Sequence, residues 1–95
     1  MSSLHTINTQ QTEAMQHCST CCTSKDAILF FADGVLHTLI QKEMAALKQK
    51  GIALYVLSDD LIARGLPTDS SLVQAINYDR WVDLTASYKN SVNWS

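Results

Sequence analysis

Apolar and polar positions along the chain switch repeatedly between two periods. Residues 4–7 form a short apolar segment closed by Asn8 and Thr9, which reads as a strand. Over 10–22, Ala14, Met15, Cys18 and Cys21/Cys22 recur at i, i+1, i+4 and i+7/i+8, predicting a one-faced helix. Thr9 is its expected N-cap, and Glu13 favours its early turns through the helix dipole. Residues 27–32 are a continuous apolar run, the pattern of a strand covered on both faces. Asp33-Gly34 ends that run, and a helix is predicted over 35–49. Residues 52–57 are a second fully apolar strand, with Gly51 suited to the C′ position of the preceding helix. A short helix follows: Ser58 caps it, Asp59 and Asp60 fill its first turn and Arg64 its last, and Gly65 and Pro67 stop it. Residues 72–76 read as a weaker strand. Asn77 caps a helix over 78–89 whose apolar face is Trp81, Val82, Leu84, Thr85 and Tyr88. Residues 91–94 make a final short strand or extended tail.

The order βαβαβαβαβ, with strands too apolar to face water, predicts an α/β fold. The expected architecture is a three-layer α/β/α sandwich around a mostly parallel sheet of about five strands. A length of 95 residues suits one domain covering 1–95.

The stretch 35–49 carries an unusually wide apolar arc: either part of it meets another subunit, or it is a wide core stripe with Glu43 bending out at the rim. On a continuous helix, Val35, Ala46, Leu39, Leu36, Leu47, Ile40 and Met44 would span an arc of about 180°, whereas about 100° suffices to meet a core. Glu43 falls in the middle of that arc. Leu36, Ile40, Glu43 and Met44, with the near-terminal Trp94, are therefore candidates for an interface with another subunit.

Composition narrows the function classes. Seven Lys/Arg against nine Asp/Glu give a net charge of −2, and the basic residues are scattered. A nucleic-acid module clusters its basic side chains to neutralise phosphates, so direct nucleic-acid binding is not expected. The N-terminus (Met1-Ser2-Ser3-Leu4-His5-Thr6) lacks the charged and apolar regions of a signal peptide, and no apolar run approaches the ~20 residues of a membrane span. Three cysteines within five positions are a poor disulfide framework. Reduced thiols and a cytoplasmic location are expected.

The densest candidate chemistry is His17-Cys18-Ser19-Thr20-Cys21-Cys22. A structural zinc site pairs two ligand groups across a longer loop, and no second cluster follows this one, so no metal is assigned. A redox dithiol needs its attacking thiol at a helix N-terminus, whereas these cysteines fall towards a helix C-terminus. Cys18 and Cys21 are expected on the buried helix face as small apolar residues, with Cys18 also a candidate acceptor of persulfide sulfur. Asp33-Gly34 and Ser58-Asp59-Asp60 lie at the carboxyl ends of two central strands, the usual ligand edge of an open α/β sheet. These aspartates are expected to close turns and cap helices. His5 is expected to be a hydrogen-bonded core residue. There is no nucleophile elbow, H-E-x-x-H or phosphate loop, so no self-sufficient enzyme and no cofactor are expected.

Taken in order, these segments resemble the TusB/DsrH family of the DsrEFH-like superfamily. The carriers are Leu4-His5-Thr6-Ile7-Asn8 at the start and Phe31-Ala32-Asp33-Gly34-Val35 at the second strand and turn. The strongest match is Tyr55-Val56-Leu57-Ser58-Asp59-Asp60-Leu61-Ile62-Ala63-Arg64-Gly65-Leu66. Tyr78, Val82-Asp83-Leu84-Thr85 and Trp94 complete it. The resemblance implies a non-catalytic subunit of a sulfurtransferase complex, joined to TusC-like and TusD-like subunits in a dimer of heterotrimers. That complex passes persulfide sulfur from a TusA-like to a TusE-like carrier, towards 2-thiolation of the tRNA wobble uridine. The sulfur-carrying cysteine there belongs to the TusD-type subunit. The alternative is a DsrH-type subunit of a DsrEFH complex in oxidative sulfur metabolism. Cys18 falls where DsrH-type members carry a cysteine, and would then be a persulfide carrier. The histidine often found in the family's last helix is Tyr88 here.

Overall fold

The computed structural model describes residues 2–95. Five strands form one sheet: β1 (Ser3–Ile7), β2 (Ala27–Phe30), β3 (Ala53–Leu57), β4 (Gln74–Ile76) and β5 (Asn90–Trp94). Their order is β4-β3-β2-β1-β5, and every neighbouring pair is parallel. The chain adds strands in one direction from β1 to β4, then crosses the sheet to lay β5 on the other side of β1. β1 is therefore where strand order reverses.

The alternation of side chains across the sheet sorts the core into two layers. Ile7, Ile28, Phe30, Leu54 and Val56 face one way and pack with helices α1 (Thr12–Cys21), α2 (Gln41–Gln49) and α3 (Ser58–Ala63) through Met15, Cys18, Met44, Leu47 and Leu61. Leu4, Ala27, Leu29 and Ile76 face the other way and meet Leu84 of the single helix α4 (Tyr78–Ser87). This is the expected sandwich, unequally covered. Each fully buried Leu, Ile or Phe contributes roughly 1.5–3 kcal/mol of apolar burial.

The predicted helix over 35–49 is two elements. A 3-10 helix (Ala32–Leu39) ends at Ile40, whose backbone is extended, and α2 then restarts. Val35 and Met44 would lie about 180° apart on one continuous α-helix. The break turns both inward: Val35 and Met44 are fully buried and Leu47 nearly so. In the 3-10 segment, positions three apart share an edge, and Gly34/His37 and Val35/Thr38 form its buried side. Gly34 has no substitute there, because a Cβ would sit 2.0 Å from the Ile7 carbonyl oxygen.

Local chemistry explains most element ends. Gly51 and Gly65 take positive φ at C′ of α2 and α3. In each case the next residue's N–H reaches back to the third-last helical carbonyl, Ile52 to Leu47 and Leu66 to Leu61, the Schellman arrangement. Asn77 caps α4 by accepting from the Arg80 N–H at 2.9 Å, as expected. Two expected caps differ. Thr9 accepts from the Gln11 N–H in a turn outside α1, and Ser58 is already helical, with Leu57 in the cap position.

Candidate functional site

The sequence cluster 17–22 is divided by the fold, and a residue from outside joins it. His17 and Cys21 are exposed, while Cys18 and Cys22 are buried. The helical stripe placed Cys21 inside. It faces out at the edge of the stripe, while Cys22, four residues after Cys18, turns inward beside it. The two sulfurs lie 3.7 Å apart. The α1 helix runs back across the sheet, so its C-terminus lies near the amino ends of the strands. There a ring nitrogen of His5, from the middle of β1, comes within 4.8 Å of both sulfurs.

His5 is held from two sides. The indole N–H of Trp94 donates to its Nδ1 at 3.0 Å, and Asp26 Oδ2 lies 3.3 Å from its Nε2. An indole can only donate, so Nδ1 is the acceptor and the ring hydrogen sits on Nε2, facing the carboxylate. Asp26 also accepts from the backbone N–H groups of Ser3 and Thr23, at 2.8 and 3.0 Å. Burial pushes the Asp26 carboxyl up, but those two hydrogen bonds and His5 outweigh it and hold the group below its usual value. The Cys18 thiol is pushed far up by its hydrogen bond to Cys22, then by burial, whereas the same bond draws Cys22 down against its own burial. The two thiols share one hydrogen bond in the core, and Cys22 is the shallower sulfur. The expected core role of His5 is what the structure contains. Asp26, its partner, went unmarked in the sequence because nothing distinguishes it from other polar residues of the 23–26 loop.

The carboxyl ends of the strands hold the other candidates, and these serve structure. Asp60 Oδ2 accepts from the Ala32 N–H at 2.6 Å, capping the start of the 3-10 helix rather than its own. That contact steadies Ala32, a non-glycine at φ 50°. Asp33 pairs with Arg64 at 2.8 Å on the exposed surface. Asp59 is exposed. His37 lies 2.8 Å from the Thr9 carbonyl oxygen, tying the 3-10 helix to the end of β1.

The interface candidates separate as well. Leu39 and Ile40 are 49% and 46% exposed, Leu36 is half-buried beside them, and together they line an apolar ridge at the helix break. Glu43 is half-buried, with Oε2 enclosed and lacking a hydrogen-bond partner among the described residues. Met44 is corrected: it is fully covered by this chain's own core, so no surface is left for a partner. Trp94 is half-buried and turned inward to His5. Tyr88, at the end of α4, is half-buried; burial raises its phenol above the ordinary value, with Tyr55 and Asp26 adding to the effect. No helix among the described residues is long and apolar enough to cross a membrane.

Comparison with known proteins places most of the chain within one family. A family described as DsrH like protein matches residues 9–91. Protein TusB of Yersinia enterocolitica is 42% identical over 76 residues, covering 76% of this chain and 78% of the relative. Protein TusB of Yersinia pestis and of Yersinia pseudotuberculosis are each 39% identical over 74 residues, with the same coverage. The chain belongs to the TusB/DsrH family.

Proposed function

We propose that this family member, a sulfur-relay subunit, acts without catalysing the transfer itself. It shapes a TusBCD-like complex that relays persulfide sulfur towards 2-thiolation of the tRNA wobble uridine. The observation that carries this reading is the complete burial of Cys18, at 0% exposure, beneath Cys22. A persulfide carrier needs an accessible sulfur, and Cys18 is enclosed. The apolar ridge of Leu36, Leu39 and Ile40 supports a protein partner, since docking removes exposed apolar surface from water. TusC-like and TusD-like subunits in a dimer of heterotrimers are the partners, with TusA- and TusE-like carriers served through the complex in the cytoplasm.

Affinity capture of the tagged chain tests the assembly. TusC- and TusD-like subunits are expected to co-purify, and L39E/I40E is expected to abolish their capture while the chain stays folded. Capture unaffected by the double variant rejects the ridge as the interface. The match to DsrH like proteins favours one second reading, in which Cys18 carries persulfide in a DsrEFH complex of oxidative sulfur metabolism. Mass spectrometry after exposure to a persulfidated donor tests it: the reading requires a 32 Da sulfur addition on Cys18, about one sulfur atom.

A further inference from the structure

We propose that Cys18, Cys22 and His5 form a binding site for a soft d10 metal ion, zinc(II) or copper(I). The inference is independent of the relay function.

Its basis is geometric. Two thiolates on a tetrahedral zinc ion, at about 2.3 Å each, stand about 3.7–3.8 Å apart. The Cys18 and Cys22 sulfurs already stand at 3.7 Å. Their C-x-x-x-C spacing falls in the range that lets one chain segment supply two ligands. A third donor, a nitrogen of His5, lies within 4.8 Å of both, and all three residues are buried. The sulfurs' spacing serves as a hydrogen bond, so this pair is close to its bound form before an ion arrives, while the His5 ring has to approach it. His5 also has the orientation typical of a metal-ligating imidazole. Its Nε2–H faces Asp26, itself fixed by the Ser3 and Thr23 N–H groups, which leaves Nδ1 for an ion.

Trp94 is the competitor. Its indole N–H occupies Nδ1 in this structure. It sits at the end of an edge strand and is half-buried, so it can turn outward. Binding therefore exchanges one hydrogen bond, Trp94 to His5, for a metal–nitrogen bond. The two thiols lose their protons to solvent as the metal–sulfur bonds form, and nothing is oxidised or reduced. Cys21 and His17 point to solvent and take no part.

The full chain, purified reduced, is titrated with cobalt(II), zinc(II) and copper(I). One ion per chain is expected. Cobalt(II) should give sulfur-to-metal charge-transfer absorption and the strong visible bands of a tetrahedral site. C18S and C22S should each weaken binding at least about 100-fold, since even loss of an outer-shell group lowers affinity by 10–100-fold. C21S should match the parent. W94F should tighten binding about three- to tenfold, the worth of one hydrogen bond removed from the competitor. His5→Gln should weaken zinc(II) strongly and copper(I), which two thiolates can hold, much less. Should the serine variants fail to fold, the parent chain still decides the matter. Saturating zinc is expected to slow maleimide labelling of Cys22 and leave Cys21 unchanged. Absence of a charge-transfer band, serine variants that bind like the parent, or labelling of Cys22 unaffected by zinc would each overturn the site.

Discussion

The two ends of the sheet hold their polar residues in opposite ways. At the carboxyl end, Asp33 and Arg64 pair in the open, and Asp60 caps a neighbouring helix. What fixes that end is backbone, in the close approach of Gly34 to the Ile7 carbonyl. At the amino end the backbone is ordinary and the side chains are committed. Asp26 and His5 are hydrogen-bonded beside two buried thiols, and Trp94 reaches back from the carboxyl end of β5 to His5, linking the 23–26 loop, β1 and β5. The carboxyl edge is where open α/β sheets usually bind ligands. Here its acidic groups are absorbed by turns and caps, and the soft, polarisable chemistry lies at the other end, enclosed. A polar group held in water is cheap to lose, and one held in the core is not.

The contrast can be broken by substitution. The largest effect is expected from Gly34→Ala, whose Cβ would meet the Ile7 carbonyl at 2.0 Å and force the backbone apart. A loss of about 3 kcal/mol or more is expected, read as a fall of at least about 12 °C in melting temperature. Asp26→Asn comes next, at about 2–4 kcal/mol, because it removes a buried charge that three donors face. Its pH dependence gives a second check. The Asp26 carboxyl is held low in the folded chain, so on acidification the unfolded chain takes up that proton first. The stabilisation is complete above the ordinary carboxylate range and is lost as pH falls through the folded value. The difference between parent and Asp26→Asn should therefore be full at neutral pH and shrink below about pH 4.

Trp94→Phe keeps the ring's apolar packing and removes one hydrogen bond, with an expected loss of about 1 kcal/mol by urea denaturation. Asp33→Ala should be smallest, within about 0.5 kcal/mol, since its ion pair is exposed and screened. A destabilisation by Asp33→Ala as large as that by Asp26→Asn would dissolve the distinction between the two ends.

Much of this was legible in the sequence. The runs at 27–32 and 52–57 announced doubly covered strands, and Gly51, Gly65 and Asn77 marked helix ends that the backbone geometry obeys. The arc over 35–49 reads, on a single helix, as an interface or a wide core stripe, and the structure has two elements there. Between them a break at Ile40 points Val35 and Met44 the same way, and an averaged period cannot register such a reset. Leu39 and Ile40 remain outside as its residue, while Met44 does not. The thiol cluster was legible as a cluster but not in its membership. Cys21 and Cys22 both fall within the apolar stripe, and periodicity alone does not decide which of two neighbours turns inward. His5 and Asp26 join it from 13 and four residues away from the cysteines, through strand pairing. No local pattern encodes that pairing.

The proposed role of this chain is to shape a sulfur relay without carrying the sulfur. The direct measurement is wobble-uridine 2-thiolation in cells whose only copy is C18A/C21A/C22A, with capture of the TusC- and TusD-like subunits followed in parallel. Parent levels of 2-thiouridine with an intact complex are predicted. An intact complex with 2-thiouridine lost would contradict the account, because a cysteine of this chain would then stand in the path of the sulfur.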